Sequence, residues 1–289
     1  MDELIGSRLG DFSEGYAKLK GYIEFLNLDM PPDNGKSVFE HDSIHLDNVC
    51  FEYPDGPEVL SNISFAVKKG ETVAIVGENG SGKSTLVRLL LGLYLPKSGA
   101  IYHNNASTSD LQYSDTHKNV SAVFQDFKKY KMTLEENVRM GDLSKNDRTR
   151  VLSSLNISGI DLGEKFDLET NLGREFGGID LSIGEWQRVA IARGIYRDSD
   201  VIAFDEPTAS IDPLQEYQLY KSFADIAHGK IAFIVTHRLS CIKFCDKIIV
   251  MRQGKLLDIG SHEKLLSDCP YYKTLWNSQA EMYTETLVS

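Results

Sequence analysis

The fold is decided by the stretch Gly77-Glu78-Asn79-Gly80-Ser81-Gly82-Lys83-Ser84-Thr85, here called the glycine loop. It follows the apolar run Thr72–Val76 and precedes the apolar run Leu86–Leu91, so the predicted order is strand, loop, helix. Glycines allow successive backbone N–H groups to curve round a phosphate, and the new helix points its free N–H groups at the same anion. The pattern predicts that Lys83 neutralises the β- and γ-phosphates of a nucleotide and that the Ser84 hydroxyl binds Mg²⁺. A glycine-rich turn is the alternative for the stretch taken alone.

Length and charge limit the kind of protein. A chain of 289 residues with 42% hydrophobic content can form one large α/β domain or two small ones, with a sizeable core. The formal net charge of -11 argues against a nucleic-acid partner, because neutralising phosphates needs clustered lysines and arginines. The tight basic run Lys128, Lys129 and Lys131 is expected to be a solvated surface.

The cysteines and the apolar runs indicate in which cellular compartment the protein is expected. The cysteines are Cys50, Cys241, Cys245 and Cys269, and none forms a C-x-x-C pair, so we expect reduced thiols and no metal centre built from them. No run of eighteen apolar residues and no signal-peptide pattern is present. We therefore expect this polypeptide neither to span a membrane nor to be secreted.

Residues 1–38 are predicted to be a helical linker or extension. Their apolar positions alternate four and three apart, the spacing of a seam that packs against a partner helix. An amphipathic helix lying on its own domain is the alternative. Pro31-Pro32 and Asp33-Asn34-Gly35 then end the helix. The seam consists of Ile5, Leu9, Phe12, Tyr16, Leu19, Ile23 and Leu26.

The rest of the chain predicts an α/β fold. Alternation from Ile44 to Val67 predicts antiparallel strands, and residues from about 128 to 190 predict short helices without strands. Val201–Phe204 and Ile231–Val235 are continuous apolar runs, as in buried parallel strands, and Lys247–Leu257 predicts a hairpin. The expected fold is a P-loop NTPase core, a mainly parallel sheet flanked by helices, with an antiparallel β-subdomain and an inserted α-helical subdomain.

Two adjacent carboxylates, Asp205 and Glu206, follow a buried strand. In a fold with a phosphate-binding loop, the end of a neighbouring strand delivers an Asp to Mg²⁺, so Asp205 is the predicted metal ligand. Glu206 is predicted to polarise a water in line with the γ-phosphate. A solvated turn is the alternative for an isolated Asp-Glu pair.

The segment Leu181-Ser182-Ile183-Gly184-Glu185, followed by Trp186-Gln187-Arg188, is similar to the LSGGQ-x-QR signature of ATP-binding-cassette (ABC) transporters. Residues from about 39 to 281 resemble the nucleotide-binding domain of that family, with 282–289 left as a tail. The resemblance implies that Ser182 and Gly184, and with them Glu185, face the γ-phosphate of ATP on a partner subunit.

Two signature positions depart from the family pattern. Ile183 stands where glycine is usual, and Glu185 where glutamine is usual. We expect Ile183 to point toward its own helical subdomain, because neighbours along a helix do not share a face. We expect Glu185 to lie in the first turn, where the helix dipole stabilises a carboxylate.

Other positions match the family residue by residue. Tyr53 resembles the aromatic residue that stacks on adenine, Gln125 resembles the glutamine that reaches Mg²⁺ beside a membrane partner, and His237 resembles the switch histidine at the γ-phosphate. Ala209–Asp212 resembles the loop that crosses to the partner subunit. Taken alone, Tyr53 could be a half-exposed strand tyrosine, Gln125 a solvated loop residue and His237 a structural histidine. The resemblance makes Lys83, Glu206 and His237 the predicted catalytic residues.

The resemblance implies an ATPase that uses ATP and Mg²⁺ and dimerises, as a homo- or heterodimer, around two MgATP. It would power export through ABC transmembrane domains, fused upstream or separate, at the cytoplasmic face of the cell membrane. The tail Gly260–Leu266 is similar to the ending of exporter-type half transporters. Trp186 and the stretch Asp126–Tyr130 are similar to bacterial peptide and lantibiotic exporters, and a multidrug exporter is a further branch. A soluble ABC-type ATPase acting on ribosomes or DNA, or a non-hydrolysing regulatory cassette, are the alternatives.

Overall fold

The structure is a computed structural model that describes residues 40–111, 117, 119–163, 167–206, 213–236 and 239–286. The predicted linker at 1–38 and the predicted site residue His237 lie outside these residues, as does the segment Ala209–Asp212.

A mainly parallel sheet of six strands forms the core. The strand order is β10-β9-β3-β8-β7-β6, with all neighbours parallel except the terminal β9–β10 hairpin. The residues of β3, β7 and β8 are buried throughout, which explains their continuous apolar sequences. The strands are β3 Thr72–Val76, β6 Val120–Val123, β7 Val201–Asp205, β8 Ile231–Val235, β9 Lys247–Arg252 and β10 Lys255–Gly260.

An antiparallel sheet, in the order β2-β1-β4-β5, packs its apolar side chains into the same core as β3 and the first helix. Its third strand, β4, was not predicted from the sequence, because it begins with Ser98 and Gly99 and shows little alternation. Cross-strand pairs such as Leu46 with Ile101 place it beside β1. The strands are β1 Ser43–Glu52, β2 Glu58–Lys68, β4 Ser98–His103 and β5 Ala106–Ser107.

The inserted subdomain is helical, as predicted. In the part of it that the structure describes, no extended strand occurs, and three helices share a core with Leu134, Leu155 and Trp186. Thr133 and Glu136 form a capping box that begins the first of them. The helices of the chain so far are α1 Lys83–Leu90, α2 Leu134–Arg139, α3 Arg148–Ile157 and α4 Ile183–Arg197.

The remaining helices follow β7 and β10. They are α5 Pro213–Ala227, α6 His262–Asp268 and α7 Pro270–Thr286. Helix α7 continues across the boundary at 281 that the sequence suggested for the end of the domain. Among the helices described, none is both long enough and apolar enough to cross a bilayer.

A buried histidine pair joins β4 to the segment before β1. His41 and His103 are fully buried, and their Nδ1 atoms lie 2.8 Å apart in a hydrogen bond. Burial, followed by the charge of His41, lowers the pKa of His103 to about 3. Burial also lowers the pKa of His41. The carboxylates of Asp200 and Asp42 oppose this shift, and the positive charge of Lys69 adds to it. Both rings are therefore held neutral in the folded protein.

We expect this pair to make the fold sensitive to acid. An unfolded histidine titrates near pH 6.5, so its stabilising contribution is complete above that pH and is lost as the pH falls toward the lowered folded pKa. The free energy of unfolding should fall by about 2 kcal/mol for His103 alone between pH 7 and pH 5. Urea unfolding at both pH values measures this. His103→Phe should reduce the pH dependence and the exposed control His228→Asn should not; equal slopes in all three proteins would contradict the expectation.

Candidate functional site

The glycine loop has the backbone of a cradle. It leaves β3 at Gly77, with φ +152°, and enters α1 at Gly82, with φ +96°. A Cβ at Gly77 would lie 2.2 Å from the carbonyl oxygen of Met251, and one at Gly82 would lie 2.6 Å from a methyl group of Leu60. Both positions therefore require glycine, because each has a positive φ and neither has room for a side chain. Helix α1 begins without a side-chain cap, which leaves its first N–H groups available to an anion.

Lys83 lies inside the loop. Its Nζ donates hydrogen bonds of 2.9 Å to the carbonyl oxygens of Gly77 and Glu78. The side chain is 6% exposed, and burial lowers its pKa, while the carboxylates of Glu206 and Asp205 oppose that shift. The positive charge is thus held at the centre of the cradle, on carbonyl groups that a phosphate could replace.

Ser81 adds a polar atom without a partner to the loop. Its side chain is 3% exposed, and its Oγ has no hydrogen-bond partner among the described residues. An unpaired buried hydroxyl is costly, so this atom indicates room for a ligand that accepts or donates a hydrogen bond.

Ser84 and Asp205 meet at the start of α1. Ser84 Oγ donates to Asp205 Oδ1 over 3.1 Å. Asp205 ends β7 and is 5% exposed, and burial raises the pKa of its carboxyl group, helped by the charge of Glu206, while the bond from Ser84 opposes the shift. The structure therefore brings together the two residues that the sequence assigned to a magnesium ion.

Glu206 lies at the point where the chain leaves the sheet. Its φ of +51° is left-handed, a conformation that costs a non-glycine residue about 1–3 kcal/mol and that clusters at functional sites. Its N–H donates to the carbonyl oxygen of Val235 over 3.0 Å, and its carbonyl accepts a bond of 3.5 Å from Gln187 Nε2. The strained residue is therefore tied at both backbone groups.

Tyr53 lies against the first turn of α1. Its hydroxyl is 3.1 Å from Thr85 Oγ1 and accepts a 3.1 Å bond from Arg88 Nη1. Its ring contacts Phe51 and Tyr94 edge-on, with centroids 5.0 and 5.6 Å apart. The sequence placed Tyr53 near the nucleotide through the family resemblance alone, and it gave no signal for Arg88.

Gln125 shares the sheet edge with these residues. It is exposed and follows β6, which runs parallel to β7 with Val123 beside Phe204. The glycine loop follows β3, and Glu206 follows β7, in the same parallel sheet. The C-terminal ends of parallel strands lie along one edge of a sheet, so the predicted residues that follow these three strands lie along the same edge.

The signature segment begins α4. Ser182 is its N-cap: its Oγ accepts from the N–H of Glu185 over 3.2 Å, and its own N–H donates to the Glu185 carboxylate over 2.8 Å. This capping box confirms the expected orientation of Glu185. Ile183 is 61% exposed, so the expectation that it points toward its own helical subdomain is wrong; the buried face of α4 begins at Trp186. Among the described residues, no hydrogen bond joins Ser182 or Gly184 to the glycine loop.

The C-terminal helix α7 also reaches the site, which the sequence did not predict. Tyr271 is in its first turn, and its hydroxyl accepts from the N–H of Glu78 over 3.4 Å. The guanidinium of Arg252 lies 4.8 Å from the centre of the Tyr271 ring. No pattern in the sequence links residues so far apart in the chain.

The side chains that meet around the glycine loop offer hydroxyl and carboxylate oxygens and the ammonium group of Lys83. Within the described part of the chain, no group of three or more His, Cys, Asp or Glu side chains could hold a metal ion alone. A hydroxyl and a carboxylate in contact, beside a phosphate cradle, instead suit an ion that takes its other ligands from phosphates and water.

Comparisons with known proteins give the family context. The ABC transporter family model matches residues 60–209. The subtilin transport ATP-binding protein SpaT of Bacillus subtilis is 38% identical over 90% of this chain and 44% of its own length. The human mitochondrial iron-sulfur clusters transporter ABCB7 is 37% identical over 82% of this chain and 32% of its own length.

A solved structure supports the same family assignment. A bacterial Atm1-family ABC exporter with ATP bound superposes with a TM-score of 0.81 at 30% identity, over 93% of this chain and 48% of that one. The chain spans less than half the length of these relatives. All three are transport proteins, which supports the exporter prediction and not the soluble ATPase acting on ribosomes or DNA.

Proposed function

Because this chain belongs to the ABC transporter family, as an exporter-type ATP-binding domain of a kind that hydrolyses ATP, we propose that it is the motor of an exporter. It would bind MgATP at the glycine loop and dimerise around two such nucleotides. The observation that carries the proposal is the convergence of Lys83, Ser84 and Asp205 on one point of the sheet edge.

Lys83 would bind the phosphates. Its ammonium group would exchange the carbonyl oxygens of Gly77 and Glu78 for the β- and γ-phosphate oxygens, a stronger, charge-assisted interaction. The unpaired Ser81 hydroxyl and the free N–H groups of α1 would add neutral hydrogen bonds. Tyr53, together with Thr85 and Arg88, would lie beside the nucleoside of the bound ATP.

Ser84 and Asp205 fit a magnesium ion. Both offer oxygen, and because burial raises the pKa of the Asp205 carboxyl group, a bound cation would stabilise its charged form. The exposed Gln125 amide oxygen would be a third ligand. When bound, the ion would neutralise charge on the transferring phosphate.

Glu206 would hold the attacking water. Its carboxylate is close enough to Lys83 and Asp205 for its negative charge to contribute an upward shift to the pKa values of both, and Asp205, one residue earlier, would bind the metal. Glu206 would accept a proton from the water as the water oxygen bonds to the γ-phosphorus and the bond from the γ-phosphorus to the leaving ADP breaks. We also propose that His237 contacts the γ-phosphate, on the strength of its position after β8.

The partners belong to the same proposal. Ser182, Gly184 and Glu185 would face the nucleotide of a second cassette, in a homo- or heterodimer. Transmembrane domains, fused or separate, would dock beside Gln125 and place the cassette at the cytoplasmic face of the membrane. A peptide cargo, as in the peptide exporter branch, is favoured by the similarity to the subtilin transport protein.

The direct test measures the ATP turnover and the molecular mass of the purified chain. With MgATP, we expect phosphate release and a light-scattering mass that rises toward that of a dimer. With ATP and a chelator, both should stay at background. Nucleotide binding without any hydrolysis in MgATP would instead favour a regulatory cassette and overturn the motor proposal.

We expect Ser84→Ala to weaken magnesium binding specifically. Loss of one ligand hydroxyl corresponds to about 1 kcal/mol, so the Mg²⁺ concentration for half-maximal turnover should rise roughly five- to tenfold. Turnover at saturating Mg²⁺ should change less. Titration of turnover with MgCl₂ at fixed ATP measures this, with Ser278→Ala on α7 as the control. An unchanged midpoint would remove Ser84 from the metal site.

A further inference from the structure

Gln187 connects the signature helix to the backbone of Glu206. It lies in the second turn of α4, it is 3% exposed, and its Nε2 donates to the Glu206 carbonyl oxygen over 3.5 Å. Helix α4 packs one part of its buried face in the core of the inserted subdomain and the other part against β7, and Glu206 directly follows that strand. This hydrogen bond therefore links a helix that is shared by the two cores to the residue that would hold the attacking water.

The backbone of Glu206 depends on such ties. A left-handed non-glycine residue persists only where its surroundings hold it in place. The N–H is fixed by Val235 on the neighbouring strand β8, so it is part of the sheet. The carbonyl group is held by Gln187, which lies on α4.

The chemistry of the glutamine indicates why it is there. Among the described residues, Gln187 Oε1 is buried without a hydrogen-bond partner. Such an oxygen destabilises a folded protein, and an apolar residue of similar volume would avoid the cost. Stability therefore does not explain the amide, whereas the bond that Nε2 donates to Glu206 does.

We propose that Gln187 is a positioning residue for hydrolysis, which holds the Glu206 backbone and moves it with α4. The inference rests on the proposed function, because it takes Ser182 and Gly184 as contacts to the partner's nucleotide. The capping box makes the start of α4 a well-ordered unit. Docking of that start on one nucleotide would thus shift Gln187, and through it Glu206 at the other nucleotide.

The test separates positioning from structural support. For Gln187→Leu, we expect an equal or higher melting temperature, a KM for ATP within twofold of the wild type, and a kcat lowered about three- to tenfold. The control Val189→Ala, which opens a cavity in the buried face of α4, should lower the melting temperature and leave kcat within twofold. An unchanged kcat in Gln187→Leu, or a joint loss of stability and ATP affinity, would overturn the proposal.

Mixed dimers show at which of the two nucleotide sites Gln187 affects turnover. A tested chain is combined with an excess of Lys83→Ala chains, which still present Ser182 and Gly184, so that turnover comes from the glycine loop of the tested chain. Gln187→Leu should slow turnover when it is on the tested chain and much less when it is on the Lys83→Ala chain. The reverse pattern would place Gln187 with the signature instead. A wild type that neither dimerises nor hydrolyses ATP would refute the proposed function, whereas a normal wild type with a normal Gln187→Leu refutes only this inference.

Discussion

Glu206→Gln is expected to lower ATP turnover about a thousandfold while leaving ATP affinity intact. The amide keeps the shape of the side chain and its tied backbone, but it cannot accept the proton of the attacking water. Because the nucleotides would bind between two cassettes and would not be consumed, the variant should remain a dimer in MgATP. The wild type should return to monomer as its ATP is hydrolysed.

Light scattering in MgATP, with phosphate release in parallel, measures both effects. Glu263→Gln makes the same chemical change at an exposed position in the first turn of α6 and should behave as the wild type. A Glu206→Gln protein that stays monomeric at all concentrations would count against a dimer that hydrolysis opens. Normal turnover would show that another group activates the water.

The sequence predicted the parts of the site that a local pattern encodes. The glycine loop is one such part, because the spacing of Gly77, Gly82 and Lys83 itself specifies the backbone that the structure shows. Asp205 is another, since it is the last of the five buried residues of β7, and the strand fixes where its carboxylate emerges. Such features need only short-range information and the order of the strands.

The parts that were missed depend on contacts distant in the chain. The hydroxyl of Tyr271 meets the glycine loop only because α7 folds back against β3 and β9 in a shared core. Gln187 was identified only as part of the signature motif, and the packing of α4 on β7 is what brings its amide to Glu206. The error at Ile183 has a similar cause: periodicity shows which residues share a face but not where the buried face begins.

Gly184→Asp is expected to stop hydrolysis by a dimer without changing ATP binding to the monomer. Gly184 is in the first turn of α4, beside the exposed Ile183, so a carboxylate there would face the phosphates of the partner's nucleotide and repel them. The glycine loop of the same chain is untouched, because no hydrogen bond joins it to Gly184 among the described residues. Equilibrium binding of ATP at low protein concentration and turnover at high concentration measure the two effects separately.

Two comparisons decide whether the defect acts between subunits. Ile183→Gly removes a side chain that packs little on its own chain, so turnover should change less than about tenfold, or 1.4 kcal/mol. Mixing equal amounts of Gly184→Asp and Lys83→Ala chains should restore about a quarter of wild-type turnover, since half the dimers are mixed and each has one intact site of two. No recovery would mean that each chain supplies its own signature or that both sites must act together. Strong activation by Ile183→Gly would instead show that this signature is degenerate and that a different cassette must supply the working one.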